Sequence, residues 1–268
     1  KDKRILYVSS EVIPYLPETE ISSMAFEASR MVNSNKGQIR IFMPRYGNIN
    51  ERRHQLHEVI RLSGMNLVIN DMDVPLIIKV ASIPKERMQV YFIDNEDYFK
   101  RKATFEDEAG KLFDDNDERA IFFAKGVVET VKKLNWSPDI IHVHGWLASF
   151  LPLYLKKYYD KEPLFENSKI VTSIYNQGYN GKLSAKVTEK IMFDGIEEKH
   201  LEELKEPNYI NMMKVAIKNS DAIIFGSEEL PEELEEYLKG HEMPMLKYHK
   251  KEDISPAYLD FYLSKVLS

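Results

Sequence analysis

The start of the chain confines it to one class of fold. Residues 4–8 form a short apolar run of strand-forming residues. Ile21, Met24, Ala25, Ala28, Met31 and Val32 then recur at helical spacing, which predicts an amphipathic helix over 21–33. Gly37 punctuates the turn, and residues 38–43 make a second strand that Pro44 stops. Strand, helix, strand in this order is a β-α-β unit, which favours parallel sheet with a right-handed crossover.

The same alternation returns later in the chain. A helix is expected over 118–134 behind acidic N-cap candidates at 114–117, a strand over 140–144, a helix over 147–159 and a strand over 169–174. Helical stretches over 187–204 and 209–219 and a short strand over 222–225 follow. The acidic run 228–236 reads as a solvated face of a helix over 231–238, with Pro231 at its first turn. Between the two alternating parts lie β-rich runs at 56–62, 74–81 and 89–93 with no helical period among them, which suggests an antiparallel insertion or meander. Residues 241–253 are polar and loop-like, and 255–267 read as a terminal helix with Ser255 as N-cap and Pro256 in the first turn. No internal repeat or low-complexity tract is visible. The expected fold class is therefore α/β: Rossmann-like and doubly wound, with a mainly parallel sheet and an antiparallel β insertion.

Composition excludes several function classes. The 268 residues are 43% hydrophobic and 30% charged, enough to bury a sizeable core. The net charge of −6 argues against a nucleic-acid partner, which would require a basic stripe. No apolar run reaches the roughly 18 residues that suggest a membrane span. Cysteine is absent, so disulfides and thiolate metal sites are ruled out. With no signal-like apolar stretch at its start, the chain is expected to be cytoplasmic.

In a doubly wound fold the first β-α loop is where an anion usually meets the sheet, because glycines let the backbone approach a phosphate and the helix N-terminus supplies N–H donors. Here residues 14–21 contain no glycine. Pro14 and Pro17 remove donors, and Glu18 and Glu20 bring negative charge, although acids in a first helical turn are also ordinary dipole partners. No phosphate is expected there. On the strand at 140–144, His142 and His144 are two apart and share a face, so they could point together at the carboxyl end of the sheet. They read either as structural histidines or as half of a metal site, but no further ligands can be named, and no metal is expected. The stretch 172–181, rich in asparagine and glycine, reads either as a turn or as a loop able to hydrogen-bond a polyol.

Six segments, in order and spread over most of 3–230, resemble the bacterial glycogen synthase and plant starch synthase family: KRILYVSSEVIP, IFMPRYG, YFKRKATFEDEAGKLFDDNDERAIFF, DIIHVHGWLASFLPLYLK, SIYNQGYNG and NSDAIIFGSEEL. The resemblance implies a retaining transfer of glucose from ADP-glucose to an α-1,4-glucan. It also implies a GT-B fold of two Rossmann-like domains, of which this chain is the N-terminal half. On this basis residues 1–240 are expected to form the synthase-type domain, and residues 241–268 a tail whose helix packs back on it. In that helix Tyr258, Leu259, Tyr262, Leu263 and Val266 share one apolar face.

The resemblance also marks departures. At the family's KTGGL loop, Pro17 stands at the lysine and Thr19 and Glu20 at the paired glycines. Gly145 stands at the aspartate of HxHDW, Tyr175 at the histidine of the family's IHN triplet, and Phe105 where many members carry tyrosine. Glu11, His142, His144, Trp146, Asn176, Tyr179 and Gly181 match the motifs, and the first six of these are the substrate-binding candidates. A phosphoryl leaving group needs positive charge or N–H donors, each worth roughly 10²–10³ in rate, so the departures imply a chain impaired as a transferase on its own. The implied role is glucan binding or regulation in glycogen metabolism, with no cofactor and doubtful ADP-glucose binding. The remaining cleft face would be open to a glucan, a partner protein or a second copy. The alternatives are an active transferase completed by a separate donor-binding domain, and a histidine-based metal hydrolase.

Overall fold

In the computed structural model, which describes residues 2–268, the chain builds one nine-stranded sheet flanked by helices. The first unit is β1 (Arg4–Ser9), α1 (Glu20–Ser34) and β2 (Gln38–Pro44), with β1 and β2 parallel from Arg4 opposite Gln38 to Val8 opposite Phe42. The insertion supplies β3 (His57–Glu58), β4 (Asn66–Ile69), β5 (Met72–Pro75), β6 (Ile77–Ile83) and β7 (Met88–Asp94). A short α2 (Glu96–Phe99) and the long α3 (Asn116–Leu134) lead to β8 (Ile140–His144). The chain continues through α4 (Leu151–Lys157), β9 (Lys169–Ile174), α5 (Val187–Met192), α6 (Tyr209–Lys218), β10 (Ala222–Phe225), α7 (Glu232–Lys239) and β11 (Met245–Leu246). It ends in α8 (Ile254–Asp260), which widens into a π-helical turn over Phe261–Val266.

The sheet order is β11-β10-β9-β8-β1-β2-β7-β6-β3. Strands β11 to β7 run parallel, and β6 and β3 close one edge in antiparallel fashion. Helix α1 packs on β1, β2 and α8, whereas α3, α4, α6 and α7 form a second layer in continuous contact. This is the Rossmann-like α/β arrangement with an antiparallel insertion.

Several elements depart from the sequence expectation for local reasons. Of residues 56–62 only His57–Glu58 is strand. Beyond it the Ser63 hydroxyl donates to the Val59 carbonyl at 3.0 Å and accepts from the Ile78 amide at 3.0 Å, closing a 3₁₀ turn. The run 74–81 is two strands, because the Leu76 amide and carbonyl turn aside to Met65 and Gly64. Strand β5 pairs instead with β4 across Asn70 and Asp71, both at positive φ, as a two-residue hairpin requires. The helix expected over 147–159 is a 3₁₀ turn, Trp146–Ala148, followed by α4, with Pro152 at its start. The terminal helix begins at Ile254, ahead of Ser255, with Asp253 in the cap position. The two residues of β11, inside a stretch read as loop, are too few to show a period.

The helix expected over 187–204 stops at Met192, and Gly195 turns the chain with φ of +92°. The turn delivers Asp194 into the α3–α4 layer. There its carboxylate pairs with Lys125 Nζ at 2.7 Å and accepts from the Tyr154 hydroxyl at 2.5 Å, while Lys125 also donates to the Val68 carbonyl at 2.7 Å. The ion pair therefore ties α3 to the β4–β5 hairpin and to the turn after α5. Both charged side chains are only 5–6% exposed, so removing one strands the other away from water. Lys125→Ala is expected to cost about 3–5 kcal/mol in urea unfolding. Lys205→Ala, which breaks an exposed pair with Glu202, should leave the urea midpoint essentially unchanged.

Candidate functional site

The strand order reverses at β1: the chain leaves β1 for β2 on one side and later places β8 on the other. Such a switch point opens a crevice at the carboxyl ends of the two strands. At its floor the Ser10 amide donates to the His144 carbonyl at 2.9 Å. Gly145 then turns away with φ of +88°, and a Cβ there would lie 1.9 Å from Ser10 Oγ. Glycine at 145 is thus favoured by both backbone conformation and space, and any side chain there would require Ser10 to shift.

Glu11 is the buried acid of the crevice. Its carboxylate accepts from Gln177 Nε2 at 2.6 Å and from Thr19 Oγ1 at 3.3 Å, joining the loops after β1 and β9. Burial pushes the carboxyl above the ordinary glutamate range, and the two hydrogen bonds only partly offset this.

The N-terminus of α1 is occupied by the chain itself. Thr19 Oγ1 accepts from the Ser22 amide at 3.1 Å, and Ser22 Oγ accepts from the Thr19 amide at 2.8 Å, a reciprocal capping box. Ser22 Oγ also donates to the carbonyl of Pro17, which is exposed. Glu20 accepts from the Ser227 hydroxyl, whose oxygen in turn accepts from the Asn176 amide at 2.8 Å. Glu18 takes the Ser23 hydroxyl and Lys251 Nζ, each at 3.3 Å. Side-chain oxygens and carboxylates therefore stand where an incoming phosphate would meet the helix.

His142 and His144 share a face, but they lie beneath the terminal helix and do not open to the crevice. Both are fully buried, their rings stacked 4.1 Å apart. His142 bonds the Tyr262 hydroxyl at 2.5 Å and the Ser173 hydroxyl at 2.7 Å, and His144 bonds the Tyr175 hydroxyl at 2.7 Å. Burial holds both imidazoles below the usual histidine range, His144 at about 3, so both are neutral. Tyr175 is buried with them, its ring filling the space that a Cβ on Gly226 would need. Among the described residues, no three histidine, aspartate or glutamate side chains are grouped to hold a metal.

On the other side of the crevice, aromatic rings line up across successive loops. Phe105 and Trp146 are 4.7 Å apart, as are Trp146 and Tyr179, while Tyr46 and Tyr209 flank the row at 5.5 and 5.9 Å. Trp146 is buried, Phe105 and Tyr179 are half-buried, and Asn176 and Gly181 are exposed. Beside this row lies a groove of about 450 Å³ lined by Lys111, Phe113, Asp114, Asn180, Lys182 and Ser184.

The structure thus unites Glu11 with Thr19, and Glu20 with the backbone of Asn176. It joins Trp146 with Tyr179, and buries His142, His144 and Tyr175 elsewhere. Sequence reasoning missed Gln177 and Ser227, which carry no motif signal, and the Tyr262 contact to His142, which depends on a helix over a hundred residues away.

The sequence profile of the starch synthase catalytic domain matches residues 4–246. The chain belongs to this family. Glycogen synthase of Chlorobium luteolum is 35% identical over 225 residues, which is 83% of this chain and 45% of that protein. Glycogen synthases of Chlorobium limicola and Chlorobium chlorochromatii are 34% and 36% identical over 86% and 73% of this chain. The chain spans about half the length of these curated relatives, 40–47%. The catalytic domain of starch synthase IV from Arabidopsis thaliana, solved with ADP and acarbose, superposes with a TM-score of 0.75 at 18% identity. That match covers 92% of this chain and 51% of the other, and identifies the fold as that of one GT-B glycosyltransferase domain.

Two substitutions probe the crevice. Gly145→Ala is expected to lose more than about 1 kcal/mol of stability, and adding Ser10→Gly should recover the contact part but not the backbone part. Because the folded state favours protonated Glu11, the stability linked to this group is present at low pH and falls as pH rises through its raised pKa. Glu11→Gln should therefore raise the melting temperature relative to wild type more at pH 8 than at pH 4.

Proposed function

We propose that this synthase-family domain binds an α-1,4-glucan along the crevice and does not by itself transfer glucose from ADP-glucose. It would then act as a glucan-binding or regulatory protein of glycogen metabolism. The observation that carries the reading is the occupied N-terminus of α1. A departing nucleotide develops negative charge on phosphate oxygens, and transfer is fast only where donors or cations meet that charge. Here Thr19 and Ser22 engage the capping donors, and Glu18 and Glu20 add negative charge. Pro17 contributes no N–H.

The glucan part of the proposal rests on Trp146 and Tyr179 as an aromatic wall, and on Glu11, Asn176 and Gln177 as polar groups at one mouth. Apolar rings with a few convergent hydrogen-bonding groups suit a sugar, which has apolar faces and hydroxyl edges. His142, His144 and Tyr175 then serve the site by holding the β9 loop. The length of the relatives supports a second reading, in which another domain or chain completes an active transferase across the same face, and a second copy of this chain could cover it too. Among the described residues no helix is long and apolar enough to cross a membrane.

Calorimetry with maltoheptaose at millimolar concentration should give binding heat, and purified chain should not extend glycogen from ADP-glucose. Absence of heat would remove the glucan reading. Chain extension by the purified protein would overturn the claim of impairment.

A further inference from the structure

One layer behind the aromatic row, a guanidinium is shut away from water. Arg119, in the first turns of α3, is 0% exposed, and all three of its hydrogen-bond acceptors are uncharged. Asp115, whose charge reaches it, is taken by Arg101 at 2.7 and 2.8 Å. The rings of Phe99, Phe113 and Tyr46 surround it, with centroids 4.9, 5.5 and 5.7 Å from its central carbon, and Nη2 has no hydrogen-bond partner. Burial lowers its pKa to about 10, which leaves it charged at neutral pH. A buried cation without a paired carboxylate is costly, and an apolar side chain would fill the same space without that cost. Packing alone therefore does not account for arginine here.

The contacts of Arg119 share one target, the segment between α2 and α3. Nε donates to the Tyr98 carbonyl at 2.9 Å, and Nη1 donates to the Thr104 carbonyl at 2.8 Å and to Asn116 Oδ1 at 2.7 Å. Asn116 Nδ2 passes the contact on to the Phe105 carbonyl at 2.9 Å, which also accepts from the Phe113 amide at 3.0 Å. These bonds close the neck of a hairpin-like loop over 105–113, which is bridged again between Glu106 and Leu112. Its tip turns on Asp107, whose carboxylate accepts from the Ala109 and Lys111 amides at 2.9 and 3.0 Å. Residues 106–111 are exposed, so the loop takes its position from its neck. On the other side of that neck, a Cβ on Gly47 would lie 2.2 Å from the Arg101 carbonyl oxygen, and the Tyr46 hydroxyl donates to the Ser10 carbonyl at 2.9 Å. The neck thus sets Phe105 against Trp146, and Lys111, Phe113 and Asp114 along the groove beside it.

We propose that Arg119 is a positioning residue of the crevice: through Asn116 and the carbonyls of Thr104 and Phe105, it holds the 104–115 loop so that Phe105 covers Trp146 and the loop forms one wall of the sugar groove. The acceptors lie in different directions, and the planar fork of a guanidinium reaches them at once, whereas an ammonium is a single point. Without the fork the loop loses its preset place, and a sugar must order it on binding, which weakens affinity. The consequence for sugar rests on the glucan reading of the crevice; the placement of the loop does not.

The test uses Trp146 as reporter, in a chain carrying Trp136→Phe so that the emission comes from one indole. Acrylamide quenching without sugar reads how well Phe105 covers Trp146, calorimetry with maltoheptaose reads the groove, and hydrogen exchange of α3 reads folding. Arg119→Lys keeps the charge and loses the fork. Asn116→Asp gives Arg119 a carboxylate partner but takes the donor from the Phe105 carbonyl. Each should raise the quenching constant several-fold and weaken maltoheptaose about tenfold, with α3 still protected. A purely structural arginine would leave Trp146 shielded in Asn116→Asp. Unchanged quenching in either variant that keeps α3 protected would overturn the proposal, and so would loss of α3 protection in both. Absence of heat in the wild-type chain would remove the glucan reading, while the quenching results still decide the role of Arg119.

Discussion

Where β1 and β8 end side by side, the Ser10 amide reaches the His144 carbonyl, and Gly145 departs at positive φ with no room for a side chain. That close approach sets the positions of both loops that leave the two strands. The loop after β1 is held down at Glu11 by Gln177 and ends in a helix capped by its own Thr19 and Ser22. The loop after β8 turns at once into the 3₁₀ turn that buries Trp146 behind Tyr179. Widening the gap at Gly145 would shift the acid, the cap and the aromatic row together.

The electrostatic character of the crevice follows from the same arrangement. Helix N-termini attract negative charge, and a Rossmann-like domain ordinarily lends that attraction to a ligand. Here it is spent within the chain, on capping hydroxyls and on Glu18 and Glu20. The polar groups beside the aromatic row are amides and one buried acid, with Lys111, Asp114 and Lys182 lining the adjoining groove. We propose that this set suits a neutral polyol better than a phosphate.

The parallel core was legible in the sequence because its signals are local: the alternating apolar runs and helical stripes, with Gly37 and Pro44 as punctuation, gave β1, α1, β2, α3, β8, β9 and β10 nearly at their observed limits. The insertion was legible only as β-rich. Its pairing depends on the Asn70-Asp71 turn and on Leu76 bridging two sheets, which periodicity does not encode. At the site, the absence of glycine from the first loop was plain in the sequence, and the capping box and Glu20–Ser227 contact give it a structural form. The orientation of His142 and His144 was not legible. Spacing put them on one face, but what covers that face is decided by Tyr258 and Tyr262 over His142, far along the chain, and by Tyr175 against His144.

The central claim is that the N-terminus of α1 is capped by the chain's own Thr19 and Ser22, with Glu18 and Glu20 beside it. The direct measurement is an amide chemical-shift titration with ADP at millimolar concentration, reading the backbone N–H signals of residues 19–23. The account predicts that these signals stay in place in the wild-type protein and move when Pro17→Lys and Glu20→Gly restore the family's charge and glycine. Saturable shifts of the same amides in the wild-type chain would contradict it.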